Sequence, residues 1–253
     1  MTVAFHSSER APHGTADTST RWRLYGAFAG LVLLVLVTGA DALSRRDGYD
    51  MTRHWVSLLQ HGERGWLATA AFALAGLLVL ASVPAFRSVR SVRSAEGRAP
   101  RLVAAIPGLV AVSGMALVAL AICPIDPSME YPVRTEAYEV STTGRVHSVA
   151  GGVLLASFAA LCWCIGAATE ARPAAASWVP GLARASAAAI VALFVACSTL
   201  VVLSDAGSWE AVRAGAFQRL ALLVGGVWLG WYALELATGS RDVSPADRSL
   251  AAD

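Results

Sequence analysis

Between two long apolar runs the chain carries CPIDPSMEYPVRTEAYEVSTTGRVHSV, Cys123 to Val149, which gathers an aspartate, three glutamates, two arginines and a histidine. Asp126 and His147 are the pair suited to proton transfer or orientation, because an imidazole gives and takes a proton near neutral pH and a carboxylate partners it. Two more carboxylates close other apolar runs, Asp41 in TGADALS and Asp205 in VLSDAGS. A charged side chain costs about 2.5–3.5 kcal/mol at the centre of a membrane span and less near its ends, so such groups turn to a bundle interior or a wet cavity and pair. Asp41, Asp126, His147 and Asp205 are therefore the candidate catalytic set. Arg219, one turn into the last run, and Arg145 are their charge partners, and Gln218 lies at the same depth. The competing account is that these are capping and snorkelling residues, since Asp126 and Asp205 stand where the chain turns and a histidine at a helix start serves as a polar cap.

MTRHWVSLLQHGERGW, Met51 to Trp66, completes the candidate substrate-binding set: His54, His61, Trp66, Arg145, Gln218 and Arg219. His54, Leu58 and His61 recur at helical spacing beside Trp55, Leu59 and Trp66, which predicts a short helix lying in the outer membrane interface. His54 and His61 are seven positions apart, about 10.5 Å along a helix, so one metal ion would need helices to converge. No HExxH or Cys/His zinc pattern occurs, and no metal or other cofactor is expected. Walker, GxGxxG, GxSxG and DDxxD signatures are absent as well, which removes metal-dependent diphosphate ionisation from the candidates. The four cysteines, Cys123, Cys162, Cys164 and Cys197, lie in or at the rim of apolar runs and read as small buried residues. Glu235 reads as a snorkelling anchor, and the small-residue patterns from Gly26 to Gly30 and in VAGGVLLAS as close helix packing.

The elements that must position these groups follow from the bilayer. A hydrocarbon core about 30 Å thick takes ~20 mostly apolar residues as a helix, with every backbone polar group paired internally. Six runs qualify: Leu24 to Leu43, Gly65 to Phe86, Leu102 to Cys123, Val146 to Ala168, Leu182 to Leu203, and Phe217 to Ala237. With 56% hydrophobic and 15% charged residues, the chain is too apolar for an ordinary soluble domain. The fold class is all-α, a polytopic bundle over residues 23–238 with disordered tails at 1–22 and 239–253. Arg21 and Arg23 ahead of a run ending in ADA resemble a signal peptide, but the long polar leader and the span-length run favour a retained helix.

Six spans put both termini on one side. The connection RSVRSVRSAEGRAPR holds five arginines against Glu96 alone, which places it, and the termini, in the cytoplasm of a cell membrane. The same arginines also suit a lipid-phosphate patch. Each odd span then leaves through an aspartate at the outer rim, and each even span begins with glycine and a polar residue: Gly62, Gly144 and Gly215. A net charge of +2 gives no reason to expect a nucleic-acid partner.

WVSLLQHGERGWLATAAFALAGLLVLA, GMALVALAICPIDP and TTGRVHSVAGGVLLASFAAL closely resemble the six-span bacterial membrane family known as domain of unknown function nine-nine-eight. The matching positions are Ser57, Gly65, Trp66, Pro124, Asp126, Gly144 and His147, and the likeness extends more loosely over the last two spans. The resemblance implies an integral membrane protein and names no activity. The expected function is a polar pocket at the outer rim that binds or acts on a lipid-like or isoprenoid-like molecule by carboxylate and histidine acid–base chemistry. A non-catalytic scaffold or sensor with a partner membrane protein is the first alternative, and a small proton-coupled transporter the second. Against the transporter, no span carries a charge at its centre, and Pro107 and Gly108 are the nearest approach to a broken helix.

Overall fold

The structure, a computed structural model, describes residues 18–93, 100–128, 131–132, 140–170, 176–204 and 213–238. Six helices fill most of that length: α1 (Thr18–Ser44), α2 (Gly65–Arg93), α3 (Pro100–Ile122), α4 (Thr142–Glu170), α5 (Val179–Ser204) and α6 (Ala214–Thr238). All six are long and apolar enough to cross a membrane, and the fold is an all-α bundle. Each apolar run becomes a helix because only intrasegment hydrogen bonding satisfies a backbone in hydrocarbon. Helix α1 begins at Thr18, so its first turn takes in residues expected in the leading tail. The trailing tail at 239–253 lies outside the described residues.

Each helix packs on the next, α1 closes the ring by packing on α6, and α4 also meets α6 across it. Helix α4 is accordingly the most buried span and α5 the least. In lipid the bundle is held by close packing and polar contacts between helices. Gly26 and Gly30 bring α1 against Leu78 of α2, as expected. Between α3 and α4, the buried hydroxyls of Ser113 and Ser157 meet at 2.8 Å.

Residues Met51 to Trp66 do not form the interfacial helix predicted for them. They make a turn, a short 3₁₀ helix at Val56–Gln60, and a second turn through Gly62 at φ +77°. Val56, Ser57, Leu58 and Leu59 are buried, so the segment is tucked into the mouth of the bundle instead of lying on it. Odd helices end and even helices begin at this same rim, which gathers the candidate residues there.

Candidate functional site

Asp41 opens the last turn of α1 and is buried, and two arginines meet its charge. Arg45, one turn on, is also buried and sends Nε and Nη2 to Asp41 Oδ2 at 3.0 and 2.9 Å. Arg64 lies 3.2 Å from Asp41 Oδ1. Arg45 further donates to the Leu59 and His61 carbonyls at 2.6 and 2.8 Å and to the Tyr131 hydroxyl at 2.5 Å. One guanidinium, whose five N–H donors form a fixed fork, thus ties α1 to the 3₁₀ segment and to the α3–α4 connection. The Tyr131 hydroxyl in turn donates a hydrogen bond to Asp47 at 2.7 Å. Partial burial works against ionisation of Asp47, but the Tyr131 hydrogen bond and the Arg45 charge hold it below the usual carboxylate range.

A second cluster fixes the start of α6. Arg219 donates to the carbonyls of Met51 and His54 at 2.5 and 2.7 Å and to the Tyr49 hydroxyl. The Gly215 and Ala216 amides, among the orphan donors of a helix start, bond to the Arg53 and Thr52 carbonyls at 3.0 and 2.9 Å. Gln218 Oε1 accepts the Val56 amide at 2.9 Å. His54 is buried with its ring among those of Tyr49 and Tyr131, and its Nδ1 accepts the Asp50 amide at 2.8 Å. Arg219 therefore serves backbone carbonyls and a tyrosine, not Asp41.

The third cluster sets the start of α4. Asp126 accepts the Ser141 amide at 2.9 Å and the Ser141 hydroxyl at 2.6 Å. A Cβ on Gly144 would lie 1.9 Å from Asp126 Oδ2, so only glycine admits this carboxylate against the helix. The hydrogen bond of His147 goes to the backbone: its Nδ1 meets the Cys123 carbonyl at 2.6 Å. A carbonyl only accepts, so Nδ1 carries the proton, and Nε2 of the neutral ring is left as an acceptor. His147 is 2% exposed, and Nε2 has no hydrogen-bond partner.

Beside His147 a cavity of about 270 Å³ opens among α4, α5, α6 and the 3₁₀ segment. Phe72, Leu120, Leu154, Leu155 and Phe217 give it an apolar wall, while Trp55, Ser57, Ser198 and Gln218 add polar groups. No charged side chain lines it among the described residues.

The structure does not bring Asp41 or Asp126 into this cavity. Asp41 and Asp126 are spent on Arg45, Arg64 and Ser141 and do not line the cavity, because a nearer partner within reach satisfies each of them. Asp205 lies outside the described residues. Of the substrate-binding set only Gln218 reaches the cavity. His54 is enclosed by aromatic rings, and His61 Nε2 meets the Ile125 carbonyl at 2.9 Å. Trp66 is 66% exposed at the start of α2, as suits an interfacial ring, and Arg145 is exposed. Gly151 and Gly152 of VAGGVLLAS, read as packing residues, instead border the cavity, where a Cβ would meet single side-chain atoms at 4.0 and 3.7 Å. The chain reading missed Arg45 as a hub, although its i,i+4 spacing from Asp41 in DALSR was the available signal. It also missed Tyr131 and Tyr49, for which the sequence offers none.

A six-helix bundle with an uncharged cavity at one rim defines a multi-pass membrane protein in contact with the lipid bilayer. More particularly, the chain belongs to the family described as Protein of unknown function (DUF998), whose profile matches residues 27–235. No curated protein and no solved structure matches it. The positions carried by the family resemblance sort by task. Ser57 and His147 line the cavity, Asp126 and Gly144 set the start of α4, and Gly65 passes against the Gln60 carbonyl, where a Cβ would lie at 2.0 Å.

Proposed function

We propose that the chain binds a neutral, hydrophobic, lipid-like small molecule in the cavity beside His147. One observation carries this reading: a buried imidazole whose Nε2 has no partner belongs to the lining of a largely apolar, uncharged hollow. Leaving a buried polar group unpaired costs about 1–3 kcal/mol, a penalty that a ligand donating a hydrogen bond removes. The absence of charged lining favours a ligand without phosphate or ammonium. Acid–base chemistry at the site would fall to His147 alone, since Asp41 and Asp126 are committed elsewhere. The arginine-rich connection supports a cell-membrane orientation with this rim outside and both termini in the cytoplasm.

Mass spectrometry of molecules retained by detergent-purified protein tests the proposal. The expected result is a co-purifying neutral lipid-like species, depleted in His147→Ala at equal protein yield. Equal retention by the two proteins, or no retained species in either, would refute it. A scaffold role is the second reading, favoured by the way Arg45 and Arg219 spend their hydrogen bonds inside the fold. It predicts a partner protein that co-purifies with wild type and His147→Ala alike.

A further inference from the structure

The residues around the cavity differ in exposure. Ser57, Phe72, Leu120 and His147 are buried, whereas the exposed ones are Ser148 on α4 and Phe194 and Ser198 on α5. The hollow therefore reaches the surface along the seam between these two helices. Val149, Val153, Val191 and Val195 flank that seam and are exposed, which makes it lipid-facing surface in a membrane-spanning bundle. The seam is thin at its middle, because a Cβ on Gly152 would meet only the Phe194 ring, at 3.7 Å. At the rim end Trp55, Ser57 and Ile125 border the same hollow, with Leu58 and Leu59 fully buried beside them.

Size and polarity then narrow the ligand. A cavity of about 270 Å³ falls just below the usual ~300–1,000 Å³ of small-molecule sites, so a two-chain lipid does not fit inside it. A lipid's polar end fits if its chain trails out through the seam. A hydroxyl is both donor and acceptor: it gives a proton to His147 Nε2 and can accept from the amide nitrogen of Gln218, whose oxygen is taken by the Val56 amide. A carboxylate has no proton to give Nε2, and no lining charge would offset a phosphate or an ammonium.

Resting on the binding role proposed above, we infer that the ligand is a bilayer-resident lipid alcohol that enters sideways between α4 and α5, seats its hydroxyl at His147, and leaves its chain in the seam between Gly152 and Phe194.

The test uses full-length protein in phosphatidylcholine vesicles with palmityl alcohol carrying a mid-chain diazirine. Photolysis is expected to label peptides of α4 and α5 that contain Gly152 and Phe194. Gly152→Trp, which fills the seam, is expected to lower labelling roughly tenfold. Hexanol, short enough to lie wholly inside, should raise the melting temperature of wild type, and the melting transition of Gly152→Trp reports that the variant is folded. If Gly152→Trp loses its melting transition, Ser198→Trp blocks the seam from the α5 side, where the residue is exposed. Undiminished labelling in a folded, blocked variant, or labelling on helices other than α4 and α5, would overturn sideways access while hexanol binding left the cavity reading standing. Failure of both alcohols to act on wild type would overturn the cavity reading, and this inference with it.

Discussion

Arg45 shows how ionisable groups persist in so apolar a chain. Its side chain is almost fully buried, and its guanidinium is surrounded by Asp41, two backbone carbonyls and the Tyr131 hydroxyl. A buried ion pair survives only when hydrogen bonds satisfy the remaining donors, and here they do. The Tyr131 end of this network makes a testable contribution. Burial, then the hydrogen bond donated to Asp47, push Tyr131 from its ordinary 10.0 up to about 12. The native state therefore keeps a proton that an unfolded tyrosine releases, so this contribution is complete below pH 10 and is lost as pH rises towards 12. Tyr49, also raised by burial, adds to the slope, and the chain has no lysine to titrate in the same window. The melting temperature of purified wild type should fall more steeply between pH 10 and 12 than that of Tyr131→Phe. Parallel slopes would contradict this assignment. At this scale the sequence singles out Asp41, Asp126 and His147 by their cost in a bilayer. It concealed their partners, since contacts such as Arg45 to Tyr131 join residues far apart in the chain.

At the scale of elements, the starts of α4 and α6 are set by two different devices. Helix α6 takes carbonyls from residues Met51 to His54, and this explains why that segment is not helical: its Arg53 and Thr52 carbonyls are needed by Gly215 and Ala216. The spacing of His54, Leu58 and His61 suits a helix, but a helix would have consumed those acceptors internally. Helix α4 instead takes a carboxylate, Asp126, seated in the space that Gly144 leaves. Hydrogen bonds to a charged group are worth about 1.5–3 kcal/mol, which sets the expected cost of Asp126→Ala. Gly144→Ala should destabilise wild type because its methyl displaces the carboxylate, yet be nearly neutral in an Asp126→Ala background. Melting curves of the two single variants and the double would read that coupling, and simple additivity would refute the seating. The six spans themselves were legible to within a few residues at most ends, since length and apolarity decide them. The connections were not, because their shape follows from which helix end lacks a partner.

Across the whole molecule, a closed ring of helices with α4 at its most buried position leaves a hollow at the rim end, bordered on its lipid side by α5, the least buried span. Orientation in the membrane rests on arginine bias. In a Cys123→Ser background, Glu63→Cys should react with a membrane-impermeant maleimide added to intact cells, whereas Ser94→Cys should react only after permeabilisation. The reverse pattern would invert the proposed topology. That Asp41, Asp126 and His147 lie at one rim could be read from the chain, whereas what lines the hollow there could not: the carboxylates that marked the rim hold it together, and the hollow is mostly apolar. On the proposed reading, His147 Nε2, which has no partner within the fold, accepts a hydrogen bond from a neutral ligand. Binding of dodecanol and of its methyl ether to the purified protein tests it most directly, because the two share a chain and the ether carries a methyl group in place of the donated proton. The account predicts that the alcohol binds about tenfold more tightly to wild type, with the preference abolished in His147→Ala. Equal affinities of wild type for the alcohol and the ether would contradict it.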